Sequence, residues 1–112
     1  MIKQKYKNIS TVIDGITFQS RKEGKRYSKL LLLARAGKIT NLTLQPKYEL
    51  LAPFKHEGKT IRAIYYVADF RYVQDGEIIV EDVKGFLTDV YKLKKKMFLS
   101  LYGEFLTFNE IY

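Results

Sequence analysis

"RAIYYVADFRYVQDGEIIVEDVKG", Arg62 to Gly85, is the stretch whose reading decides the fold. Two runs rich in β-branched and aromatic residues flank Asp75-Gly76, the dipeptide best suited to close a two-residue hairpin. Arg62–Val73 reads as one strand and Ile78–Lys84 as its return. Such a turn sets Gln74 opposite Glu77, and facing residues keep the same sum along the ladder. Asp69 then falls across from Asp82. Lys84, two residues further on, shares the face of Asp82, with Val67 and Val80 beside them, while Glu81 points away. A slip of one residue would put Glu81 in the place of Asp82.

Two carboxylates facing each other in a sheet repel. A hard divalent cation would relieve them, since Mg²⁺ is held by one or two carboxylates together with water and phosphate oxygens. A partly solvated salt-bridge cluster of Asp69, Asp82 and Lys84 would relieve them as well. The trio alone leaves both readings open. Glu23 has the same ambiguity. It extends the apolar stripe of a first helix toward the sheet, and it also completes a Ser20-x-x-Glu23 capping box.

Working outward, Tyr27, Leu30, Leu31 and Ala34 repeat at helical spacing, with Ser20 as N-cap and Gly37 as the left-handed stop. Arg21, Lys25, Lys29 and Arg35 lie opposite, with Arg26 at the edge. A strand is expected over Thr43–Leu50, with Pro46 marking an edge or a bulge, and "APFKHEGKT" reads as a loop. After Gly85, Thr88 caps a second helix that ends at Gly103, with Val90, Leu93, Met97 and Leu101 as its apolar stripe. "EFLTFNEIY" is a last short strand, and "IDGITF" near the start carries an Asp-Gly turn signal. The order is αβββαβ, a mixed α/β fold with a four-stranded sheet covered by helices. It forms one domain over residues 9–112, preceded by a basic arm over residues 1–8.

With 112 residues, there is room for one core. A formal charge of +8 marks a candidate for binding polyanions, nucleic acid first. The absence of cysteine excludes disulfides and thiolate metal sites. No apolar run is long enough for a membrane helix and no secretory segment is read after Met1, so a cytoplasmic protein without membrane contact is expected.

An acid in the first helix, an Asp in the second long strand and Asp-x-Lys in the third form the pattern Glu23, Asp69, Asp82, Lys84. This pattern resembles the PD-(D/E)XK nuclease superfamily, whose restriction-endonuclease-like core has the same αβββαβ order. The segments "DGITFQSRKEGKRY", "LQPKYEL", "YVADFRY", "VEDVKG" and "YKLKKKMF" are closer still to a family of short phage-encoded proteins within it. The resemblance runs from about Tyr6 onward. Two departures stand out: Ala68 replaces the proline that names the motif, and the second acid is Asp82 where Glu is more frequent.

The resemblance implies Mg²⁺-dependent hydrolysis of DNA phosphodiester bonds, with Mn²⁺ able to substitute. Asp69 and Asp82 would ligate the metal, helped by the backbone carbonyl of Val83 and by Glu23, directly or through water. Lys84 would orient the attacking water or steady developing charge. Gln45 would reach phosphate or water. Lys92, Lys94, Lys95 and Lys96, together with Lys3, Lys5 and Lys7 on the arm, would contact DNA phosphates. Small phage and archaeal members of the superfamily include Holliday-junction resolvases, so a homodimer acting on four-way branched DNA is the first expectation. A less selective phage nuclease serving replication, recombination or packaging is the second. A catalytically inactive basic DNA-binding protein is the third.

Overall fold

Asp75 and Gly76 both adopt left-handed backbone, with φ of 51° and 79°, as a type I′ hairpin turn requires. Gln74 faces Glu77 and Phe70 faces Glu81, so the register read from the turn holds along the ladder. The computed structural model describes residues 10–85 and 87–112. The expected arm, with Lys3, Lys5 and Lys7, lies outside the described residues.

In chain order the described elements are β1 (Thr11–Ile13), β2 (Ile16–Phe18), α1 (Arg21–Arg35), β3 (Thr40–Leu44), β4 (Lys47–Leu51), β5 (Phe54–His56) and β6 (Lys59–Ile61). They continue as β7 (Ile64–Val67), β8 (Phe70–Gln74), β9 (Glu77–Val83), α2 (Asp89–Tyr102), a 3-10 turn at Gly103–Phe105 and β10 (Thr107–Ile111). The central sheet has the order β10-β9-β8-β3, with β10 parallel to β9 and the other neighbours antiparallel. Among the described residues the fold is therefore mixed α/β, with two α-helices and a mixed four-stranded sheet. β10 runs parallel to β9 because α2 carries the chain back across the sheet between them.

The strands expected over 43–50 and 62–73 are each broken in two. Gln45 takes a positive φ of 49°, and Pro46 has no N–H to give to a ladder. The opposite chain breaks at the same level, at Ala68 and Asp69. Crossed backbone bonds join the breaks: Gln45 N–H to the Asp69 carbonyl at 2.9 Å, and Ala68 N–H to the Pro46 carbonyl at 3.0 Å. One long hairpin is thus divided, with β3 and β8 in the central sheet and β4 and β7 in a ladder of their own. Its tip is not the expected loop. β5 and β6 pair through a Glu57-Gly58 turn whose φ values, 50° and 77°, repeat the I′ pattern. A glutamate is an uncommon first residue for that turn, so the local signal was weak.

Both faces of the sheet are packed. Phe18, Tyr27, Leu30, Ile39, Phe70, Tyr72 and Ile79 form the core beneath α1. Leu50, Tyr66, Ala68, Val80 and Phe98 form the one beneath α2. Helix α1 follows its sequence pattern: the Ser20 hydroxyl accepts from the Glu23 amide, and Gly37 closes the helix with φ 74°. Helix α2 does not. Of its expected stripe only Met97 packs against the core, while Val90 is 62%, Leu93 60% and Leu101 49% exposed. The face turned inward carries Tyr91, Phe98 and Tyr102, with the Phe98 ring 4.9 Å from those of Tyr48 and Tyr66 and 5.6 Å from Phe108. Aromatic rings bury more apolar area than aliphatic side chains and gain further from edge-to-face packing. That gain sets the rotation of the helix.

Candidate metal centre

The alternation of β9 sends Glu81 toward α1 and Asp82 toward α2. Glu81 is fully buried. Arg26 grips it through two bonds, of 2.7 and 2.5 Å, and the Tyr72 hydroxyl donates a third at 2.5 Å. Glu81 is accordingly a structural acid, and its partner is an arginine of α1. Its bond raises the Arg26 guanidinium pKa. Desolvation, followed by the bond to Glu81, pushes the Tyr72 phenol up to about 12.

On the other face Asp82 and Lys84 are both buried. The Asp82 Oδ1 accepts from Lys84 Nζ at 2.8 Å, and its Oδ2 accepts from the Tyr66 hydroxyl. Asp69 sits where the long hairpin breaks, so its side chain is free of the ladder. Its Oδ2 accepts from the Val83 amide at 2.7 Å, while its own amide donates to the Glu81 carbonyl at 3.1 Å. The break therefore aims this carboxylate at the end of β9, beside Asp82. For Val83, the group that engages Asp69 is the amide.

The electrostatics follow from that crowding. Desolvation, then the charges of Asp82 and Glu23, push the Asp69 carboxyl up to about 8. Glu23 is raised as well, by burial and then by Asp82. Burial and the neighbouring Asp82 also raise the Tyr66 phenol, keeping it a donor. Three acids and one lysine meet here, and the ionised state is the costly one.

A folding consequence is measurable. A carboxyl raised above its unfolded value binds a proton in the native state that the unfolded chain has released. Stability is then fullest below about pH 4 and declines up to about pH 8, where the native carboxyl ionises. Urea midpoints of the cation-free protein should fall over that window. A midpoint that rises steadily through it would contradict the crowding of Asp69.

Among the described residues, no group of three or more His, Cys, Asp and Glu side chains is gathered tightly enough to hold an ion unaided. Glu23 is coupled to Asp69 and Asp82 through its charge. A buried and a half-buried carboxylate with unspent oxygen lone pairs suit a hard cation that keeps most of its water, as Mg²⁺ does. The donor set fits that ion, and the raised Asp69 carboxyl marks negative charge that Lys84 alone does not balance.

Several participants were missed from sequence. The Lys84 ammonium lies 3.1 Å from the centroid of the Tyr91 ring. Tyr91 in turn donates to Glu110 at 2.6 Å, and Glu110 pairs with Lys95 at 3.0 Å. Lys22 Nζ donates to the Lys84 carbonyl at 2.7 Å, pinning the start of α1 over the site. Tyr91, Phe98 and Tyr102 follow i, i+7, i+11, an inward aromatic series that the aliphatic stripe masked. Of the expected DNA contacts, Lys92 and Lys96 are exposed, while Lys94 and Lys95 are half-buried. Gln45 is exposed at the break, where its amide holds the Asp69 carbonyl.

No curated protein matches the chain. Residues 3–109 match a family described as "Protein of unknown function (DUF1064)". That match spans almost the whole sequence, and the chain belongs to this family.

Proposed function

We propose that this protein is a Mg²⁺-dependent endodeoxyribonuclease of the PD-(D/E)XK type, encoded by a phage and acting as a homodimer on branched DNA, with four-way junctions its first substrate. The observation that carries the reading is the crowding of the half-buried Asp69 against the buried Asp82, beside a lysine held by that same Asp82. The chain order α1, β3, β8, β9, α2, β10 is the αβββαβ order of that superfamily.

A bound divalent cation would supply the Lewis acidity that polarises a phosphate oxygen and acidifies a water. The residues of the chain do the positioning. Asp69 and Asp82 offer hard oxygens, each oriented by a fixed donor, the Val83 amide and the Tyr66 hydroxyl. Lys84 has little rotamer freedom between Asp82 and the Tyr91 ring, so its charge is in place before substrate arrives. Preorganised charge of this kind steadies the negative charge that develops during phosphoryl transfer. Lys92 and Lys96 lie on the helix that follows the site and would position the phosphate backbone.

The test is cleavage of labelled four-way junction, flap, linear duplex and single strand, each with and without Mg²⁺. Paired symmetric nicks confined to the junction are expected. Degradation of every substrate would favour the less selective nuclease, and binding without cleavage would sink the enzymatic reading. A second expectation concerns stability. Mg²⁺ at ten times its Kd should stabilise the fold by about 1.4 kcal/mol, a Tm rise of roughly 5 °C. At one fixed Mg²⁺ concentration the rise should be larger at pH 8 than at pH 5, because the cation and the proton compete for Asp69. Equal shifts at both values would count against a cation bound by this carboxylate.

A further inference from the structure

Between α2 and the free edge of the sheet at β10 lies an open groove of about 420 Å³. Lys92, Lys95 and Lys96 line it from the helix, and Tyr91, Leu99 and Tyr112 supply apolar walls. Tyr112 is 73% exposed. One carboxylate, Glu110, also lines the groove, already engaged by Tyr91 and Lys95. From this groove we infer a binding site for an unpaired DNA strand beside the proposed metal centre.

The argument is one of shape, charge and continuity. Three lysines against one acid favour a phosphate backbone. The aromatic and aliphatic walls are suited to base faces, which a strand exposes only when unpaired. A duplex would present sugars and phosphates to surfaces better matched to rings. Continuity comes from Tyr91, whose ring forms one wall while also covering the ammonium of Lys84. A strand lying in the groove therefore passes within one side chain of the proposed metal centre. The choice of DNA rests on the nuclease reading; the preference for an unpaired strand rests on the groove.

Binding measured without divalent cation separates the two ideas. Fluorescence anisotropy would compare a labelled oligothymidine with a blunt duplex, on wild type, Tyr112→Ala, Glu110→Gln and the pair Lys92→Ala with Lys96→Ala. Loss of the Tyr112 ring should weaken the oligothymidine about tenfold while changing duplex affinity less than about twofold. Removing both lysines should flatten the single-strand salt slope by about 1.4. Glu110→Gln should tighten the oligothymidine several-fold, a gain that misfolding cannot produce. Equal losses for both DNAs in Tyr112→Ala, or no gain in Glu110→Gln, would overturn the single-strand site. If the pattern holds and no substrate is cut with Mg²⁺, only the nuclease reading falls.

Discussion

Asp69→Asn should lower Mg²⁺-dependent cleavage by at least about 10³-fold while leaving the fold as stable as wild type or more so. Preorganised electrostatic groups, removed singly, cost on the order of 10²–10³ in rate, and here the group is also a proposed metal ligand. Asparagine keeps the shape and can still accept from the Val83 amide. What it loses is charge, and that charge is the one the site resists: burial, Asp82 and Glu23 already push the Asp69 carboxyl up to about 8. Above that pH the cation-free variant should outlast wild type against urea. A residue retained at a cost to stability, whose loss removes activity, is the signature of a functional group. Lys84→Ala should also abolish cutting, but with a different stability signature, since it strips the buried Asp82 of its cation. Retained cleavage in either variant would sink the site assignment. An Asp69→Asn protein less stable than wild type at pH 8 would show that the carboxylate has a structural partner.

Arg26→Met should have the largest effect on folding. It removes both guanidinium bonds to Glu81 and leaves a fully buried carboxylate with the Tyr72 hydroxyl as its remaining donor. Breaking a buried pair from one side typically costs about 3–5 kcal/mol, a large part of the roughly 5–15 kcal/mol that stabilises a domain. Equilibrium urea unfolding would read the loss. Replacing both partners, Arg26→Met with Glu81→Leu, should restore most of it, because an apolar pair of similar volume carries no desolvation penalty. A single variant with the wild-type midpoint would mean that Glu81 is satisfied by other means. These substitutions lie on the α1 side of the sheet and Asp69→Asn on the far side of β9. Their effects should therefore add closely when combined.

The adjacent acids of β9 show how much of the site was legible. Glu81 and Asp82 differ by one position, and the pleat alone sends them to opposite faces. The Asp75-Gly76 turn fixed which face, because its φ values tie the register to the chain. The helix starts were legible for the same local reason: Ser20 and Thr88 each accept from an amide three residues on.

Other features needed the whole molecule. That Glu81 pairs with Arg26, 55 residues away, depends on how α1 lies across the sheet, and lysines on the same helix were equal candidates by sequence. The roles of Tyr66 and Tyr91 arise where β7 and α2 converge on Asp82 and Lys84, contacts that no spacing rule reports. The break that frees Asp69 was marked on one strand by Pro46, but its counterpart at Ala68 carries no signal of its own. It is imposed across the ladder by the bonds to Gln45 and Pro46. Helix α2 held two competing stripes, aliphatic and aromatic, and its rotation was settled by the rings already waiting on the sheet.

The sequence by itself therefore determined the hairpin register, the helix starts and the separation of Asp82 from Glu81. Each depends on backbone conformation within a few residues. Only the tertiary structure decided which cation meets which acid and which face of α2 is buried. Those outcomes are competitions between distant groups for the same space and charge, and they are resolved only when the layers pack.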